Sequence, residues 1–183
     1  MKHLYIVPIV HAEEELGSHA GQLKKAYIKN FGLAGWKQHK AAIADFWSKV
    51  KNNLQRIDVD YNNLLIYQDG FPMGMDAKEM IDSMLKLGSP NYKIIANLVN
   101  KGAELIGTES PELLKKEVDH LKSKKTITLE MSNALLQLRD QFIAKQIEKT
   151  LLPGKTGILF IGAKHEVSHY FSREFQITLK GYG

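Results

Sequence analysis

The chain contains no cysteine. That absence removes disulfide staples, thiolate zinc sites, iron–sulfur clusters and cysteine nucleophiles together. Any metal must rest on histidine and carboxylate side chains. No apolar run approaches the roughly 18 to 20 residues that a membrane-crossing helix needs. The N-terminal MKHLYIVPIVHAEE has a short apolar stretch followed by acids where a secretory signal would show a small-residue cleavage site. The expectation is a cytoplasmic protein with no membrane partner. The net charge of +5 is modest for 183 residues, and the lysines are scattered apart from Lys122, Lys124 and Lys125. A nucleic-acid surface would want a broad basic stripe with interleaved aromatics. A solvated helix end accounts for that run better, so no nucleic-acid partner is expected.

What is present suits one globular domain spanning residues 1–183, with 44% hydrophobic and 25% charged residues around a single core. Four short apolar runs stand out: LYIVPI (4–9), LLIY (64–67), LIG (105–107) and ILFIG (158–162). None alternates cleanly, as expected of strands buried on both faces. Between them the spacing becomes helical and start signals appear. Asp76 with Glu79 forms a capping box, and Ser89-Pro90 and Ser110-Pro111 each put a cap residue before a proline at the first helical position. Residues 128–152 carry Leu135, Leu138, Phe142, Ile143, Ile147 and Leu151 at steps of three and four, which predicts one long amphipathic helix. The first crossover, residues 12–62, has room for two helices, the second bearing Trp36, Ile43, Phe46, Val50 and Leu54. Strands separated by helices predict an α/β fold with a mostly parallel central sheet and helices on both faces. Phe175, Ile177 and Leu179 alternate with polar residues and predict a half-exposed C-terminal edge strand, read as antiparallel.

In an open parallel sheet, ligands bind outside the carboxyl ends of the strands. The residues there are His11 after the first run, Gln68 and Asp69 after the second, Thr108 and Glu109 after the third, and His165 after the fourth. Each has an ordinary explanation as well. Asp69-Gly70 is common turn chemistry, and Glu109 precedes a helix whose dipole favours an acid. His11 is followed by Glu13, Glu14 and Glu15, which either orient the ring or face water. Arg139 lies at the margin of the long helix's apolar face, where an arginine calls for a carboxylate or phosphate partner. Asp140, its chain neighbour, points in another direction.

Two motifs are decoys. GKT (154–156) precedes a strand and lacks the upstream glycine of a phosphate loop. HEVSH (165–169) matches the H-E-x-x-H letters of zinc proteases but follows a buried strand by three residues, and only Glu174 remains downstream as a carboxylate ligand. Gly162-Ala163-Lys164-His165 is the better parsing: a glycine at a strand end, then a histidine over the sheet edge. His169 becomes a secondary candidate.

VPIVH (7–11), IYQDG (66–70), RDQFIAKQI (139–147) and IGAKH (161–165), taken in order, resemble the TraB/ChaN/erythromycin-esterase-like superfamily. The resemblance implies a hydrolase-like pocket in which strand-end histidines and acids act with the helix arginine, and it points to His11, Asp69, Arg139 and His165. Members of that superfamily include proteins like metal-dependent peptidases, esterases and haem-iron handlers. The leading expectation is a hydrolase acting on a small molecule or peptide through His11, Asp69, Glu109, Arg139 and His165. In one version His11, His165 and Asp69 hold a divalent metal ion that activates water. In the other a histidine is the base and Arg139 stabilises the oxyanion. The alternative is a non-catalytic domain that binds a small anionic ligand with Arg139 as clamp.

Overall fold

The computed structural model describes residues 1–10, 20–122 and 128–179. Its elements are β1 (Lys2–Ile9), α1 (Ala20–Gln55), β2 (Leu64–Gln68), α2 (Ala77–Lys86), α3 (Pro90–Asn100), β3 (Glu104–Ile106), α4 (Pro111–Lys122), α5 (Leu129–Thr150), β4 (Thr156–Gly162) and β5 (Phe175–Leu179). The caps act as their residue types require. Asp76, Ser89 and Thr128 each accept a hydrogen bond from the third residue of their helix, and Ser110 Oγ accepts from Leu113 N at 3.3 Å. The first crossover holds two helices in one element, because Gly32 interrupts α1 with φ of 73°.

All five strands are parallel, in the order β3-β2-β4-β1-β5. The C-terminal strand is therefore an edge strand, but parallel to β1, not antiparallel as its alternation suggested. Alternation reports one exposed face and carries no direction. Direction comes from the connection: after β4 the chain returns along the other face, and Lys2 N donates to Glu174 O at 2.9 Å, so β5 starts beside the start of β1.

Right-handed crossovers place the helices. β1 to β2 and β2 to β3 both move towards the β3 edge, so α1, α2 and α3 share one face. There Trp47, Val50, Leu54, Tyr92, Ile95 and Leu98 pack on Val7, Leu64, Ile66, Ile158 and Phe160. β3 to β4 moves back, which puts α5 on the other face, with Ile143, Ile147 and Leu151 against Leu4, Leu65, Tyr67, Leu159 and Ile161. The chain leaves β2 for the first face and β4 for the second, where Val167 joins the α5 core. A crevice opens where neighbouring strands diverge in this way. Asp69 and His165 flank it.

One glycine ties fold to site. A Cβ on Gly107 would lie 2.4 Å from the Pro72 carbonyl oxygen. The close approach lets Phe71 O accept from both Thr108 N and Glu109 N at 3.2 Å, which fixes where Glu109 emerges. Gly107→Ala forces backbone apart and is expected to cost about 1–3 kcal/mol, read as a lower midpoint in urea.

Candidate functional site

Asp69 is held by the sheet itself. Its amide donates to Phe160 O at 2.8 Å, extending the β2–β4 pairing by one residue. Its Oδ2 then accepts from Gly162 N at 3.1 Å. A Cβ on Gly162 would sit 3.1 Å from that same oxygen, so the glycine admits the carboxylate rather than bending the backbone towards a ligand. Its φ is not positive.

Arg139 is the centre of the cluster. It lies one α-helical repeat from both Leu135 and Ile143, so it stands within the buried stripe and not at its margin, only 4% exposed. Asp140 is inward as well, whereas Leu138, counted in the apolar stripe, is 50% exposed. The guanidinium meets three carboxylates. Nη2 donates to Asp69 Oδ1 at 2.7 Å and to Glu109 Oε1 at 2.5 Å. Nε reaches Glu109 Oε2 at 3.3 Å, and Nη1 reaches Glu117 Oε1 of α4 at 2.8 Å. The Glu109 pair is a two-pronged fork, the geometry in which arginine holds a carboxylate best. Burial pushes the Glu109 carboxyl up from its ordinary value, against the opposing pull of Arg139. Arg139 itself is held fully charged, because its carboxylates outweigh the cost of burial.

His165 follows β4 through a two-residue turn, its amide donating to Gly162 O at 3.1 Å. Nδ1 meets Asp140 Oδ1 in a short contact, and Nε2 faces Asp69 Oδ2 at 3.5 Å. The other oxygen of Asp140 accepts from Glu166 N at 2.8 Å, which pins the turn. Burial lowers the pKa of this imidazole, but the Asp140 hydrogen bond and the charge of Asp69 more than offset it, and the net shift is upward from 6.5. A histidine whose folded pKa is raised contributes stability that is complete below its unfolded value and disappears as pH climbs through the folded one. Glu109, also raised, acts in the same direction above its own unfolded value of 4.5. Unfolding free energy is therefore expected to fall as pH rises upwards from about 6.5, and His165→Gln should flatten that slope in urea titrations at successive pH values.

Asp69, Glu109, Arg139 and His165, read from the sequence, thus come together. His11, with Glu13, Glu14 and Glu15, lies outside the described residues. Gln68 and Thr108 are buried beside the cluster. Gln68 Oε1 accepts from Asn91 Nδ2 at 2.7 Å, and Thr108 Oγ1 has no partner among the described residues. HEVSH does not lie in an α-helix: Val167–Tyr170 is a single short 3-10 helix, and the side chains of Glu166 and His169 are 74% and 70% exposed. Sequence reasoning missed Asp140 and Glu117. For Asp140 there was a signal, since it lies three and four residues before the buried Ile143 and Ala144; Glu117, on a mostly solvated helix, offered none.

Of the three residues proposed for a metal, two are described, and they do not fit one. Asp69 already gives one oxygen to a guanidinium and the other to a backbone amide, and His165 commits Nδ1 to Asp140. Among the described residues no group of three His, Cys, Asp or Glu could hold an ion. The positive charge beside Asp69 comes from Arg139. A groove of about 360 Å3 opens beside the cluster, lined by Ile6, Pro8, Ile161, Gly162, Ala163, His165 and Leu179. No family model, no curated protein and no solved structure matches this chain.

Proposed function

We propose that the chain is a small cytoplasmic hydrolase, a member of the TraB/ChaN/erythromycin-esterase-like group, whose acid–base group is His165. One observation carries the reading: His165 is gripped at Nδ1 by Asp140 while Nε2 lies at the crevice beside Asp69 and the groove. A carboxylate on one ring nitrogen fixes the ring and its tautomer, and leaves the other nitrogen to exchange a proton with water or substrate. In its neutral form His165 accepts a proton at Nε2 from the attacking water; the imidazolium so formed is stabilised by Asp140 and Asp69 and returns the proton to the leaving group. Arg139 is a positioning residue in this scheme. Four of its N–H directions are already directed at carboxylates, so it sets the place of Asp69 and leaves the oxyanion to other donors.

The same saturation weighs against the anion-binding alternative. Asp69, Glu109, Glu117 and Asp140 outnumber Arg139 and His165, and the surplus negative charge repels an anion. The groove beside His165 is mainly apolar, which suits an uncharged ester or amide substrate. The experiment is a screen of esterase, peptidase and phosphatase substrates with the wild-type chain and His165→Gln side by side. Turnover by the wild type that is lost in the variant supports the reading. A wild type inert towards all three classes, or equal rates in both proteins, refutes it.

A further inference from the structure

We propose that α1 carries a second functional surface, a helical hairpin whose tip docks on an anionic lipid bilayer. The hairpin follows from Gly32. In an unbroken helix Tyr27 and His39 would stand about 18 Å apart along the axis. Their rings stack with centroids 4.8 Å apart, and Tyr27 also meets Trp36 at 5.5 Å and Phe31 at 4.7 Å. The chain therefore doubles back at Gly32, whose φ of 73° and ψ of 170° are not helical. This arm packs on itself. Trp36 is 7% exposed yet belongs to neither core, and α1 joins the sheet only from Ile43 onwards.

Two properties of its outer surface point to one kind of partner. At the reversal, Phe31 and Leu33 are 64% and 57% exposed, and Leu23 on the first limb is 50% exposed. Around them stand the exposed Lys25, Lys29 and Lys37, with no acid anywhere in residues 20–44. Residues 25–39 thus carry three lysines and no acid, a local charge of +3 around the reversal. An apolar tip ringed by lysines complements a bilayer with acidic headgroups, where the tip enters the acyl boundary and the lysines pair with phosphates.

Other partners fit less well. Nucleic acid would satisfy the lysines but meet Phe31 and Leu33 with phosphate. A helix-binding groove needs an unbroken apolar face, and here Tyr27 is already covered by Trp36 and His39 while Gly32 breaks the helix. That no helix among the described residues can cross a membrane concerns spanning only; this contact lies in the interface.

The test is co-sedimentation of the full chain with vesicles of phosphatidylcholine alone and of phosphatidylcholine mixed with phosphatidylglycerol. Binding to the mixed vesicles only, weakened by salt, is expected. Phe31→Ser with Leu33→Ser should reduce the bound fraction roughly tenfold, because insertion of the tip supplies the apolar part of the affinity. Lys25→Gln with Lys29→Gln and Lys37→Gln should weaken it while leaving the melting temperature unchanged. No pelleting, equal pelleting with both vesicle types, or full binding by the serine variant overturns the proposal. So does light scattering that shows a wild-type dimer and a monomeric serine variant without vesicle capture, which would assign the tip to a second copy, or an RNA mobility shift without vesicle capture.

Discussion

Arg139→Met is expected to lower stability by about 3–5 kcal/mol, the usual consequence of removing one partner from a buried charge network. Glu109 is fully buried, and its two oxygens receive the arginine Nε and Nη2. Without the guanidinium its remaining hydrogen-bond donor among the described residues is Gly70 N at 3.4 Å. The carboxyl must then either stay ionised in an apolar setting or take up a proton, and both cost free energy. Asp69 loses its strongest hydrogen bond in the same step, although Gly162 N continues to hold its second oxygen. For a chain of this length the loss corresponds to a drop in Tm of about 10 °C. Arg139→Lys should recover little, since a point donor cannot serve three carboxylates from one position. The double variant Arg139→Met with Glu109→Gln should regain part of the loss, because the amide leaves no buried charge. If the methionine variant melts within about a degree of the wild type, the network is not the buried ion cluster described above.

His165→Gln is expected to reduce turnover about 10²- to 10⁴-fold, the range that a positioned general acid–base contributes. Glutamine retains hydrogen-bonding capacity towards Asp140 and cannot shuttle a proton at neutral pH, so the loss isolates proton transfer from architecture. The pH profile separates the two roles further. In the proposed mechanism the neutral imidazole is the base, so the rate is expected to rise as pH passes through the pKa of His165. That pKa is held up chiefly by the Asp140 hydrogen bond and then by the charge of Asp69, against burial. Asp140→Asn removes the largest upward contribution, and the rising limb should move to lower pH even as the maximal rate falls. A merely structural Asp140 would lower the amount of folded protein and leave the limb where it was.

Much of this architecture was legible in local residue chemistry. The continuous apolar runs LYIVPI, LLIY and ILFIG became β1, β2 and β4, because a strand covered on both faces needs apolar residues at every position. Caps at Asp76, Ser89 and Ser110 appeared where a short polar side chain could meet a free helical amide. The rule that strand ends carry ligands placed Asp69, Glu109 and His165 on one edge. Arg139 was recognised as unusual but set at the edge of the apolar stripe, since a stripe was drawn through Leu138 when the buried one ran through Leu135, Arg139, Ile143 and Ile147. Asp140 was read only as a neighbour of Arg139. Its true partner is 25 residues away in sequence, and no periodicity reaches that far.

The sequence by itself determined the elements, their order and the set of residues available to a site, because propensity, capping and hydrophobic pattern act within a few residues. Tertiary structure decided the rest. The direction of β5 depended on the path of the connection after β4, which alternation does not encode. Which acids share Arg139 depended on the loop after β2 crossing over Gly107 and on α4 lying beside α5. The setting of His165 depended on its ring lying between Asp140 and Asp69, one from a helix and one from the end of a neighbouring strand. These choices are made by backbone paths closing over long separations, and charge pairing follows distance in space rather than distance along the chain.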